Sequence, residues 1–174
     1  LRLQAVERAA SFPAFEAFLE RKGPWIGGFD FPFSLPRELI RHLGWPTDWK
    51  KLVAHCGTYT RIQFREALDS YRSTRPPGKK YAHRATDIPA GSSSPMKLVN
   101  PPVALMFHEG ARPLVPADVR IPGLLENRST CLALETFPGL LVRKQLGLRA
   151  SYKSDTRKEH TAARKAVRKA VVKA

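Results

Sequence analysis

Two short apolar runs in this chain stop in the same way, on an acid with proline just beyond. Trp25-Ile26-Gly27-Gly28-Phe29 is followed by Asp30, then by Pro32 and Pro36. Thr130-Cys131-Leu132-Ala133-Leu134 is followed by Glu135, then by Pro138. Proline has no N–H to give to a ladder, so neither run continues as a central strand past its acid. Each reads as a short buried strand with a carboxylate at its C-terminal tip. Most of the remaining apolar residues recur at helical spacing, which predicts an α/β domain.

The helical segments carry their own punctuation. Phe15, Phe18 and Leu19 form a stripe behind Pro13, which suits a first helical turn, and Gly23 is a stop. Leu3, Val6, Ala9 and Ala10 also sit at helical spacing. Further helices are expected at about 36–43, 47–55 and 60–71, the last opened by the capping box Thr60-Arg61-Ile62-Gln63. Apolar residues from Met96 to His108 predict helix on both sides of Pro101-Pro102, and another helix is expected from Pro138 to about Leu146. Thr156-Arg157-Lys158-Glu159 is a second capping box, expected to open a long helix to the end of the chain. That helix would gather Ala162, Ala163, Ala166, Val167, Ala170 and Val171 on one side. The stretch 72–95 is the most loop-like, rich in Pro, Gly and Ser with basic residues between, and a loop of that length is usually functional or mobile. The chain begins on Leu1 and ends inside a helical pattern, so a single domain over 1–174, incomplete at one or both ends, is the expectation.

Charge bounds the partner. Lys and Arg total 30 against 15 acids, a formal net charge of +15, and an imbalance of this size concerns partners more than fold. Nucleic acid, an anionic membrane or an acidic protein would each answer it. No apolar stretch approaches the ~20 residues of a membrane span, and no charged segment followed by an apolar core reads as a signal peptide. Two cysteines, Cys56 and Cys131, are too few for a disulfide framework and read as free thiols of a cytoplasmic protein. The histidines do not stand at zinc-ligand spacing from them, and Gly27-Gly28 lacks the pattern of a phosphate loop.

The two strand-tip acids carry the sharpest chemistry. In open α/β sheets ligands sit beyond the carboxyl ends of the strands. Asp30 and Glu135 on neighbouring strands would share a divalent cation, since Mg²⁺ takes one or two carboxylates together with waters and phosphate oxygens. A metal pair at such an edge would stabilise both the attacking and the leaving oxygen of a phosphodiester. The plainer reading is that each acid caps a turn or pairs with an arginine.

Four segments in order resemble a family: Gly28-Phe29-Asp30-Phe31-Pro32-Phe33-Ser34, Arg84-Ala85-Thr86-Asp87, Leu134-Glu135-Thr136-Phe137-Pro138 and Tyr152-Lys153. Pro102-Val103-Ala104-Leu105-Met106-Phe107 is also similar. The family is a domain of unknown function whose members are predicted nucleases with a ribonuclease H-like fold, and the likeness covers roughly residues 25–174. It implies a mixed sheet flanked by helices and an acid cluster at one sheet edge. It implies a hydrolase needing Mg²⁺ or Mn²⁺, held by Asp30, Glu135 and Asp87, with Asp30, Glu135 and Lys153 as the catalytic set. Arg84 and Lys153 would contact phosphate or neutralise developing charge, while Asp87 would either join the acids or orient Arg84. Two departures stand beside it: no residue before Asp30 fits an early strand acid, and nothing after Asp155 fits a late one. A non-catalytic nucleic-acid binder of the same fold, and a basic scaffold for an acidic partner, are the alternatives.

Nucleic-acid contacts are expected from Lys79, Lys80 and Arg84 in the loop and from Arg164, Lys165 and Arg168 on the last helix. Tyr71 and Tyr81, which bracket the basic loop, would add base stacking. The alternative for both segments is an ordinary solvated surface.

Overall fold

The two apolar runs pair with each other. The computed structural model describes residues 2–147, 154 and 156–173. In it Trp25–Phe29 (β1) lies parallel to Cys131–Glu135 (β2), with Trp25 opposite Cys131 and Phe29 opposite Glu135. Arg120 bridges the other edge of β2: its N–H donates to the Cys131 carbonyl at 2.8 Å, and its carbonyl accepts from the Ala133 N–H at 2.9 Å. Parallel strands cannot be joined by a tight turn, and here residues 30–130, most of the helices among them, make the crossover. The fold is α/β, as expected. Among the described residues the sheet is a two-stranded parallel pair rather than a larger mixed one.

The helices begin where side chains can take up their first N–H groups. Ser11 accepts from the Ala14 N–H at 3.4 Å to open α1 (Phe12–Leu19). Pro36 precedes α2 (Arg37–His42), and Asp48 accepts from the Lys51 N–H at 3.0 Å at the start of α3 (Trp49–Gly57). The Thr60 and Gln63 capping box forms at α4 (Arg61–Ser73), with reciprocal bonds of 3.2 and 2.9 Å. The short α5 (Asp87–Ala90) ends on Gly91 at φ 64°, a left-handed position that favours glycine. α6 (Val103–Gly110), α7 (Pro138–Gln145) and α8 (Ala162–Lys173) complete the helices described.

Three expectations give way. Residues 2–10 are not helical. Leu3 and Val6 are 78% and 86% exposed, so the stripe has no surface to cover, and an isolated helix that short is marginal in water. Residues 96–102 are not helical either. The residue before a proline is pushed out of the α region, and Asn100 sits at φ 42° with its carbonyl held by the Lys97 ammonium at 2.6 Å. Thr156 starts a single 3₁₀ turn, Arg157–Glu159, while Thr161 caps α8 by accepting from the Arg164 N–H at 3.3 Å.

The core forms where α2, α3, α4 and α6 meet the inner face of the sheet. Phe33, Leu39, Leu52, Phe64, Leu68 and Phe107 are fully buried in it. The segment after β1 cannot be strand, and it uses its aromatics instead. Phe29, Phe31 and Phe33 pack with ring centroids 5.4–5.8 Å apart, and the Trp49 indole N–H donates to the Phe33 carbonyl at 2.7 Å. Cys56 and Cys131 are buried free thiols, and burial pushes the Cys56 thiol up to about 12, which leaves it protonated and inert. Among the described residues no helix is long and apolar enough to cross a membrane.

Tyr71 is fully buried, and its hydroxyl donates to Glu38 at 2.9 Å. Burial, then the Glu38 carboxylate, raise its pKa above the ordinary phenol range. The folded state therefore holds that proton more tightly than the unfolded chain does. Its contribution to stability is complete below the unfolded pKa of about 10 and is lost as pH rises through the folded value. Urea melts at about pH 8 and about pH 11 should show the wild type losing more stability than Tyr71→Phe, which has no proton to lose.

Candidate functional site

The register places the two strand tips level, so Glu135 ends β2 opposite Phe29 and Asp30 is the next residue beyond. Between this edge and the 72–95 loop stands Arg84. Its Nη1 and Nη2 donate to the two oxygens of Glu135 at 2.7 and 2.6 Å, a bidentate fork. Nη2 and Nε also donate to Asp87 Oδ1, at 2.8 and 3.1 Å, and Nη1 reaches the Ser34 carbonyl at 3.4 Å. A guanidinium has five N–H groups, and these contacts use all of them.

Each acid has neutral donors as well. Glu135 accepts from the Phe33 N–H at 2.8 Å, and Asp87 accepts from the Arg84 N–H at 2.7 Å and the Ser92 hydroxyl at 3.3 Å. Such donors stabilise the second negative charge that one arginine cannot neutralise. Asp87 is 1% exposed, the Arg84 side chain 18% and that of Glu135 30%. Burial works against the charge on Arg84, but the hydrogen bonds from Glu135 and Asp87 outweigh it and raise its pKa, so it stays cationic throughout.

Local sequence explains the assembly. Arg84 and Asp87 are three apart at the entry to α5, where an acid can turn back to the preceding N–H and guanidinium. The loop that carries them is pinned along its length. The Ala82 N–H meets Met96 Sδ at 3.3 Å, the Ser94 hydroxyl donates to the Ala82 carbonyl at 2.6 Å, and Arg143 from α7 donates to the Ala90 and Gly91 carbonyls at 2.8 and 3.1 Å.

Of the residues singled out in the sequence, the structure thus brings together Arg84, Asp87 and Glu135. Asp87 pairs with Arg84 through its Oδ1, and Glu135 pairs with the same arginine, far away in sequence. To hold a metal ion Glu135 would have to release Arg84, and Arg84 would have to release a carboxylate to bind phosphate. Asp30 is exposed, and its carboxylate has no hydrogen-bond or ion-pair partner among the described residues. Among those residues no group of three His, Cys, Asp or Glu side chains is placed to hold a metal ion. Lys153, with its neighbour Tyr152, lies outside the described residues.

The remaining basic candidates are dispersed. Lys79 and Lys80 are exposed on the turn made by the Lys79 N–H and the Pro76 carbonyl at 3.0 Å. On α8, Lys165 is exposed, Arg168 is half-buried, and Arg164 is tied to Glu159 at 2.8 Å. No described residue of α8 whose exposure is resolved is buried. A cleft of about 660 Å³ runs between α1 and residues 113–118, lined by Glu16, Glu20, Lys22, Pro113 and Cys131; it shares no residue with the Arg84 cluster.

Arg84→Ala should destabilise the protein by about 3–5 kcal/mol, read from the denaturant midpoint, because it strands the buried Asp87 charge. Glu135→Gln should cost less, since an amide oxygen still accepts from Arg84 and Asp87 keeps its partner. A smaller loss from Arg84→Ala than from Glu135→Gln would contradict this account.

The chain matches no family model, no curated protein and no solved structure.

Proposed function

We propose that this domain binds nucleic acid through exposed lysines, with the Arg84 cluster as the brace that holds the binding loop in place. One observation carries the reading: the acids that form ion pairs pair with arginine, and the lysines are left without acids. Among the described residues no lysine from Lys22 to Lys169 has a carboxylate partner, whereas Glu7, Glu38, Asp69, Asp87, Glu109, Glu135 and Glu159 are each engaged by an arginine. Arginine's planar fork suits paired, structural contacts, and lysine is a compact, hydrated point charge suited to phosphate. Other acids, Glu16, Glu20 and Asp30 among them, stay exposed, and the excess positive charge reaches solvent on lysines such as Lys79 and Lys80 and on exposed arginines such as Arg37 and Arg41.

Binding of this kind releases counterions, with log K falling by about 0.9 per phosphate neutralised for each unit of log salt. Fluorescence anisotropy with a labelled oligonucleotide should show affinity falling steeply between about 50 and about 200 mM salt. Lys79→Ala and Lys80→Ala should each lower the slope by about 1. Equal competition by polyglutamate would instead place the basic face against an acidic protein partner.

A second reading keeps the ribonuclease H-like fold and metal-dependent phosphodiester cleavage. It is favoured by the adjacency of Asp30 and Glu135 beyond the carboxyl ends of a parallel pair. Mg²⁺ or Mn²⁺ would draw Glu135 away from Arg84 and join it to Asp30, and Lys153 would meet phosphate charge. Calorimetry should then detect Mn²⁺ binding that Asp30→Ala and Glu135→Ala both remove. Binding that survives either substitution, or heat-silent titration of folded protein, would sink this reading.

A further inference from the structure

We infer that Tyr81 is a stacking platform for an unpaired base, which makes the nucleic acid recognised here single-stranded. The inference rests on the nucleic-acid reading above and adds strandedness to it.

The two tyrosines that bracket the basic loop have different fates. Tyr71 is fully buried, with its hydroxyl on Glu38 and the Arg75 guanidinium 5.3 Å from its ring centroid, so no base can reach it. Tyr81 is 37% exposed. The Arg72 guanidinium carbon lies 4.9 Å from its ring centroid, and Arg72 is itself fixed to Asp69 at 2.6 Å. Arg72 backs the ring from one side, and more than a third of the residue remains open to solvent.

The backbone beside the ring is anchored. The next residue, Ala82, is buried and bonded at both its N–H and its carbonyl, to Met96 and Ser94. An aromatic side chain with two rotatable bonds on an anchored backbone loses little conformational freedom on binding, and a stacked base needs only a flat, open face. Lys79 and Lys80 immediately precede it and are exposed, so a phosphate beside a stacked base would meet positive charge, and the exposed His83 ring stands two residues on.

A comparison within the molecule marks the site. Phe18 is 41% exposed and also carries an arginine, with Arg21 4.3 Å from its ring centroid. But Phe18 is preceded by Glu16 and followed by Glu20, which repel phosphate. At Tyr81 the arginine-backed ring stands directly after two exposed lysines that have no carboxylate partner. Bases inside a duplex are already stacked on one another and have no free face, so this platform selects single strands.

The test compares a single-stranded oligonucleotide with a duplex of the same length, using wild type, Tyr81→Phe and Tyr81→Ala. Tyr81→Ala should weaken single-strand binding by about 5- to 100-fold while leaving duplex affinity and the salt slope unchanged. Tyr81→Phe, which keeps the ring, should stay within about 2-fold of wild type. Photocrosslinking of wild type to an oligonucleotide carrying 5-iodouracil should map to Tyr81, a readout independent of how the alanine variant folds. Equal affinity of wild type for both strands, or a Tyr81→Ala effect the same on both, would overturn the platform while leaving salt-dependent binding standing. Failure of wild type to bind either oligonucleotide would overturn both readings together.

Discussion

Arg84 connects three parts of the chain that are distant in sequence. Its side chain holds the end of β2 through Glu135, the segment after β1 through the Ser34 carbonyl, and its own loop through Asp87. The Phe33 N–H on Glu135 closes the ring of contacts, so that the non-strand segment 31–35 and the strand tip are fixed by one carboxylate. A buried ion cluster of this kind adds little net stability over an apolar one, because desolvation offsets the attraction. What it does supply is position. An unpaired Asp87 charge would be costly, so these contacts tie the loop to the strand tip and to the segment after β1.

That place sets the character of the surface. The 72–95 segment is long and rich in residues that resist regular structure, yet its carbonyls and N–H groups are bonded to Met96, Ser94 and Arg143. The lysines at its turn and the ring of Tyr81 are consequently presented from a braced frame. Arginine appears in two roles there, in ion pairs and behind aromatic faces, as at Arg72 on Tyr81 and Arg75 on Tyr71. Both roles follow from a flat, weakly hydrated cation. Lysine, strongly hydrated, stays outside.

The elements that could be read from sequence are those with local causes. Both strands were legible because a β-run, an acid and a proline stand together, and α4 was legible because its capping box satisfies its own N-terminus. The stripe at 2–10 and the apolar stretch before Pro101 show where pattern failed. A helix of that length needs a surface to bury against, and Leu3 and Val6 have none. Part of the site was legible in the same sense: Arg84 and Asp87 are three residues apart, and the structure pairs them. That Glu135 completes the cluster was not, since its partner lies fifty-one positions away and nothing local announces it.

Sequence alone determined the class of the molecule: α/β, strongly basic, with two strands ending on acids. Those properties depend on composition and on neighbours along the chain, which is why they survive without coordinates. Only tertiary structure decided what the acids do. Of the two strand-tip carboxylates, Glu135 is drawn into the brace because Arg84 reaches it, and Asp30 stands in solvent. Only tertiary structure separated Tyr71 from Tyr81, burying one and leaving the other open. Burial and long-range pairing are sums over contacts that the fold makes, and no spacing along the chain encodes which of two like residues will end inside.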